Sequence, residues 1–215
     1  MENNKKKTLT LAIIAIAVLL VAVIGATFAY FQAQLGTGTS ANVTVTTQST
    51  DQLTFTASSI VVGPATQANF YSGAGNVSGS GNASVTLTAN TNASATYCYT
   101  AGLSVTSNTF EYTTGNTNNT AELTVSATKN STAVLTNYDI TTMTTGTVSF
   151  PTALNGSTNT HTITAAANGT TTDTWVVTVT FVNLATDQSL QGSGDANNLD
   201  KAFTGQVVFT KVNCS

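Results

Sequence analysis

The chain has 215 residues, of which 7% are charged and 41% hydrophobic, with a formal net charge of −3. An ordinary globular protein carries about 25% charged residues, so water-facing positions here must be filled by Thr, Ser, Asn and Gly. There is no arginine, and beyond the first seven residues three lysines stand against eight acids, a formal charge of −5. That balance excludes a phosphate-tracking surface for nucleic acid and an anionic-membrane surface for the body of the chain.

In chain order, "MENNKKK" is a positive n-region, and no charge follows from Thr8 to Phe31. The apolar core 11–24 has the length of a long signal-peptide core, and Leu9 to Phe31 would also span a bilayer of ~30 Å as a helix. Thr27 and Ala29 place small side chains at positions −3 and −1 of a cut between Ala29 and Tyr30. Residues 1–29 are therefore expected to be a signal peptide, with an uncleaved membrane anchor as the alternative. In the second case the chain touches the membrane only through residues 8–31, as an N-terminal apolar helix. Either way the remainder, 30–215, is expected outside the cytoplasm as a single domain.

The junction Gly25, Ala26, Thr27, Phe28, Ala29, Tyr30, Phe31, after a lysine cluster and a long apolar core, resembles the leaders of the TasA/camelysin class of secreted Gram-positive proteins. Those leaders are cut by a dedicated SipW-type signal peptidase. The resemblance implies a β-sandwich subunit of biofilm-matrix fibres, with other copies of itself and the peptidase as its partners.

The body alternates apolar and polar residues with period two, the pattern of half-buried strands. "ANVTVTT" sets Val43 and Val45 on one face, "LTFTA" sets Leu53 and Phe55, "SVTLTA" sets Val85 and Leu87, and "ELTVSA" sets Leu123 and Val125. "TWVVTVTFVNL" sets Trp175, Val177, Val179 and Phe181, and is expected to pair with the final "FTGQVVFTKV" as central strands. "SGAGNVSGSGN", "TTGNTNN", "LNGSTN" and "AANGTTTD" read as turns, where Gly and Asn supply positive φ. About ten such strands with no amphipathic helix predict an antiparallel β-sandwich, jelly-roll-like or immunoglobulin-like.

No constellation in this pattern reads as a reaction centre, and no cofactor is expected. The single histidine, His161, shares parity with Ile163 and is expected on the semi-buried face of a strand, without a nucleophile elbow. Glu111 and Glu122 are expected to face solvent. Asp187, Asp195, Asn197, Asn198 and Asp200 are hard oxygen donors in one loop, but lack the spacing of an EF-hand. Lys211 lies on the apolar parity of its strand, the condition for a lysine–carboxylate isopeptide bond. Tyr97, Tyr99 and Tyr112 are candidate sugar-stacking rings if the domain is instead an anchored adhesin or carbohydrate-binding module. Cys98, in "TYCYT", and Cys214, after the last strand, satisfy the even count of an exported chain and are expected to form one disulfide. Residues 30–48, carrying Val43 and Val45, have few charges and no proline. They are expected to serve as a donor strand that completes a neighbouring subunit, swinging on the polar link "QSTDQ".

Overall fold

The computed structural model describes residues 43–46, 51–70, 75–184, 188 and 198–214. The expected apolar helix and the cut at Ala29 and Tyr30 lie outside them. The described residues are all-β, with eleven strands: β1 (Val43–Thr46), β2 (Gln52–Ala57), β3 (Ser59–Val62), β4 (Val77–Thr88), β5 (Ala95–Asn108), β6 (Leu123–Lys129), β7 (Thr132–Asp139), β8 (Gly146–Ser149), β9 (Thr160–Ala165), β10 (Thr170–Phe181) and β11 (Phe203–Val212). They form two antiparallel sheets, one of six strands in the order β1-β2-β4-β10-β6-β7, the other β3-β11-β5-β8 with β9 also on β5.

Alternation decides which side chains meet. Trp175, Val177, Val179 and Phe181 of β10 are all buried, and so are Ala83, Val85 and Leu87 of β4. Their counterparts on the other sheet, Tyr99, Leu103 and Val105 of β5 and Phe203 and Val207 of β11, join them in one core. Aromatic rings connect the two sheets: Phe55 stacks on Phe209 at 5.6 Å, and Tyr99 meets Trp175 edge to face at 6.5 Å. The pairing expected between β10 and β11 is not formed. Each is an interior strand of its own sheet, so the strong apolar parity of both reflects burial from opposite sides of one core.

On the outward side the pairing residues are hydroxyls. Along β4 and β10 the rungs Ser78–Thr180, Ser80–Thr178, Thr86–Thr172 and Thr88–Thr170 are each hydrogen-bonded at 2.9–3.2 Å. Threonine holds the extended backbone through its β-branch while remaining solvated. Turns follow the expected chemistry. Asn155 and Asn168 both take φ of 52°, and Asn130 and Ser131 take φ of 49° and 65° between β6 and β7, the double positive φ of a type I′ hairpin.

Within that expected turn, "VSGSGN" is not a turn; it is the first half of β4. The chain leaves the six-stranded sheet at Ser58, whose hydroxyl donates to the Asn82 carbonyl at 2.8 Å, and β3 then enters the other sheet directly over β4. Gly79 and Gly81 are the floor of that crossing. A Cβ on Gly79 would overlap the Val61 carbonyl oxygen, and one on Gly81 would lie 2.7 Å from Ile60 Cγ1. These glycines are small where another backbone passes, which is the second use of glycine in strands. Gly79→Ala is expected to cost about 2–3 kcal/mol as an overpacked site. Gly75→Ala, with nothing within 4 Å, should change stability by less than about 0.5 kcal/mol. Urea denaturation midpoints of the two variants measure the contrast.

Candidate functional site

Four features carry the residues singled out above: the β1 edge, the disulfide, and two buried polar clusters. β1 is the outermost strand of the six-stranded sheet and pairs with β2 of its own chain. In that register Val43 stands opposite Phe55 and Val45 opposite Leu53, and both partners are core residues. An outermost strand is held by one ladder, where an interior strand such as β10 is held by two. Residues 30–42 and the link 47–50 lie outside the described residues.

Cys98 and Cys214 are joined, with Cα atoms 5.2 Å apart and a sequence separation of 116. Cys98 lies on β5 and Cys214 just past β11, and these strands are already paired as far as Cys98↔Val212. The bridge therefore secures the end of an interior strand. A loop of that length restricts the unfolded chain by up to about 5 kcal/mol. Beside it is an open cleft of about 560 Å³, lined by hydroxyl and amide side chains such as Thr96, Ser157 and Asn159.

The first polar cluster is centred on Asp173 of β10, on the inward face and 6% exposed. Lys129 Nζ lies 2.8 Å from Asp173 Oδ2, the Tyr99 hydroxyl donates to the same oxygen at 2.7 Å, and Asn130 Nδ2 donates to Oδ1 at 2.8 Å. Trp175 Nε1 in turn donates to the Tyr99 oxygen at 3.3 Å. Burial pushes the Asp173 carboxyl up, but the hydrogen bonds from Lys129, Tyr99 and Asn130 outweigh it and hold the carboxyl below its ordinary range. Burial, and then the adjoining Asp173, push the Tyr99 phenol far above its ordinary value. The cluster is thus an ion pair with a neutral phenol, and an ionised carboxylate is a poor electrophile for an amine. Lys211, the candidate the strand pattern offered for an isopeptide bond, has no part in it: half-buried at the strand end, it lies over the Tyr97 ring at 4.4 Å.

His161 is on the core-facing side of β9, 2% exposed, stacked on Tyr99 at 5.4 Å and edge-on to Trp175 at 4.9 Å. Its Nε2 lies 2.9 Å from the Phe150 carbonyl oxygen. Burial lowers its pKa, the hydrogen bond to Phe150 opposes that, and Lys129 and Asp173 act in opposite directions on it. Its role is to link β9 to the segment leaving β8, since both strands share one edge of β5.

The second cluster overturns the expectation of a solvent-facing Glu122. Its carboxylate is fully buried and accepts five hydrogen bonds: from Thr113 N (2.6 Å) and Oγ1 (3.1 Å), Asn116 Nδ2 (2.9 Å), Gln188 Nε2 (2.8 Å) and Asn198 Nδ2 (2.8 Å). Alternation alone placed Glu122 outward, opposite in parity to Leu123 and Val125, but two long connections fold over it. Their surplus of Asn and Gln, each a side-chain N–H donor, is the sequence signal that matches a buried carboxylate. Asn198 also spends its oxygen on the Glu111 backbone N–H at 3.0 Å, so it is committed to this clasp. Asp187, Asp195 and Asn197 lie outside the described residues, and Asp200 is exposed, as is Glu111. Among the described residues no three His, Cys, Asp or Glu side chains are grouped as metal ligands.

The three tyrosines do not form an exposed row. Tyr99 is in the core, Tyr97 is half-buried, and the half-buried Tyr112 donates its hydroxyl to Asp139. No protein-family model matches the chain, and no curated protein matches it in sequence.

Glu122→Ala is expected to cost about 3–5 kcal/mol, because it strands buried donors with no acceptor. A shift of the denaturation midpoint by less than about 1 kcal/mol would show that solvent reaches those donors. The clusters also imply a pH dependence with two windows. The unfolded chain protonates His161 near its ordinary 6.5 and the folded chain only at lower pH, so stability falls as pH drops below 6.5. Asp173, depressed in the fold, gives stability above its ordinary 3.8 that is lost only as pH falls below it. His161 is the single histidine. His161→Gln should therefore flatten the melting temperature between pH 7 and 5, where the parent loses up to about 1.4 kcal/mol per pH unit.

Proposed function

We propose that the chain is a secreted, non-enzymatic cell-surface or extracellular-matrix subunit, a β-sandwich that assembles into fibres by exchanging β1 between copies. The observation that carries this reading is the position of β1: outermost in its sheet, four residues long, uncharged and without proline, on a single ladder with β2. The contacts it makes within one chain are the ones it would make in trans. If the strand leaves its own β2 and occupies that of a neighbour, no ladder hydrogen bond is lost and each subunit both gives and receives.

The buried clusters fit a structural role, since their polar groups are consumed by one another. Every buried side-chain nitrogen or oxygen among the described residues has a hydrogen-bond partner. The leader supports export: cutting between Ala29 and Tyr30 would free the segment ahead of β1, whereas a retained helix would tether it. The formal charge of −5 beyond the leader supports assembly without nucleic acid. A second reading, a membrane-anchored adhesin or carbohydrate-binding module, is favoured by the hydroxyl- and amide-lined cleft beside the disulfide.

The register gives the test. Thr44 stands opposite Thr54. Exported Thr44→Cys protein mixed with exported Thr54→Cys protein is expected to give a disulfide-linked heterodimer on non-reducing gels, because only exchange between chains brings the two thiols together. If the mixture stays uncrosslinked while the Thr44→Cys/Thr54→Cys double variant closes within one chain, β1 is an ordinary edge strand and the exchange reading is wrong.

A further inference from the structure

The cleft of about 560 Å³ beside the Cys98–Cys214 bridge has both cysteines in its wall, together with Thr96, Ser157, Thr158, Asn159, Thr160 and Thr162. Its reactive group is therefore the bridge itself. The two sulfurs are placed unequally: Cys98 is 3% exposed and sits on β5 between its ladders with β9 and β11, whereas Cys214 is exposed and two residues past the end of β11. No hydrogen bond holds Asn213 or Cys214 to another described residue, so the bridge is what fixes that end. Cys98 Sγ lies 3.5 Å from Thr162 Oγ1. A bridged sulfur carries no hydrogen, so the threonine hydroxyl is the donor.

We infer that the bridge is an exchange site for a low-molecular-weight thiol, which enters the cleft as its thiolate and becomes attached to Cys214. The thiolate attacks Cys214 Sγ, a new S–S bond forms there as the old one breaks, and the bonding pair leaves on Cys98, which then takes a proton from water. One disulfide replaces another, so no oxidant or reductant besides the thiol is consumed. Burial closes the Cys98 sulfur to the nucleophile, so attack falls on Cys214. The Thr162 hydroxyl is already aimed at Cys98 Sγ and can donate to the thiolate as it departs. A stabilised leaving thiolate departs faster.

Charge and size select the ligand. A thiolate is an anion and the body of the chain carries a formal charge of −5, yet none of the eight residues lining the cleft is charged. Close approach is therefore not opposed there. The volume lies within the range of small-molecule pockets, and hydroxyl and amide walls can pair with the peptide groups of a thiol the size of glutathione. The fold survives the step. β11 keeps its ladders with β3 and β5, and only Asn213 and Cys214 are let go, so the thiol ends up on a short free end. The inference stands on the cleft and the bridge alone and does not depend on β1 exchange.

Dithiothreitol, a small thiol whose second sulfur makes opening irreversible, measures the rate on the exported full chain. Opening is expected to be first order in dithiothreitol and to change by less than ~3-fold as urea is raised to well below the denaturation midpoint, because no unfolding precedes attack. Circular dichroism should stay native throughout. Ser157→Trp, at an exposed wall position, should slow opening by at least ~5-fold by filling the cleft, and Thr162→Val by at least ~3-fold by removing the donor to the leaving sulfur, both with melting temperature unchanged. The site of attachment is read from single-cysteine chains exposed to glutathione disulfide: Cys98→Ser should be labelled at Cys214 at least ~10-fold faster than Cys214→Ser is labelled at Cys98. A rate that climbs with urea, an unchanged rate in Ser157→Trp or Thr162→Val, or equal labelling of the two cysteines would each overturn the inference. If the single-cysteine chains do not fold, the urea series on the parent and the Ser157→Trp rate decide it.

Discussion

The absence of charge from the sheet faces is the constraint from which most of this structure follows. With nine acids and six lysines in 215 residues, the strands cannot be solvated by ionic side chains. Threonine and serine take the outward positions, and once they do, facing hydroxyls across β4 and β10 become hydrogen-bonded rungs. Each rung adds a small increment to strand pairing, on the order of 0.2–1 kcal/mol, and the increments lie along the longest contact in the six-stranded sheet. The same scarcity makes each remaining charge expensive to misplace. Asp173 and Glu122 are both buried, and each is surrounded by donors: one by a lysine, a tyrosine and an asparagine, the other by amides and a threonine.

The two buried acids solve the same problem differently. Asp173 is satisfied between the sheets, so its partners come from strands β5, β6 and the turn after β6, and its network ties one sheet to the other. Glu122 is satisfied outside the sheet by connections that would otherwise have little apolar surface to hold them down. Neutral amide donors suffice there because five hydrogen bonds replace the lost water. Thr113, Asn116, Gln188 and Asn198 are thereby fixed on one carboxylate.

What the sequence made legible was whatever depends on neighbours in the chain. Period-two alternation located β2, the second half of β4, β6, β10 and β11, because those strands turn their apolar parity into the core. It did not single out β3 or β8, which are four residues long, or β7, whose pairing with β6 is interrupted by register shifts, so that Val134 and Leu135 are both buried. Gly79 and Gly81 misled for a physical reason: glycine marks turns by its φ freedom and crossings by its lack of a side chain, and composition does not separate the two. Pairing partners were illegible as well. β10 and β11 have similar patterns because they line one core, and a strand's own residues do not record which sheet it joins. Glu122 is enclosed both by near neighbours, Thr113 and Asn116, and by residues more than sixty positions away, Gln188 and Asn198, and strand alternation records neither.

The two ends of the described chain are held in opposite ways, and this asymmetry bears on how subunits could join. The last strand is interior, paired on both sides with β3 and β5, and closed by the bridge from Cys98 to Cys214. The first is at an edge with one neighbour. Removing β11 from its place would break two ladders and a covalent bond, whereas moving β1 to an equivalent site breaks one short ladder and re-forms it. The proposed assembly through the N-terminal strand would therefore leave the core of the donating subunit untouched, with Trp175, Tyr99 and Asp173 in place. Assembly through the C-terminal strand would dismantle the sheet that encloses them.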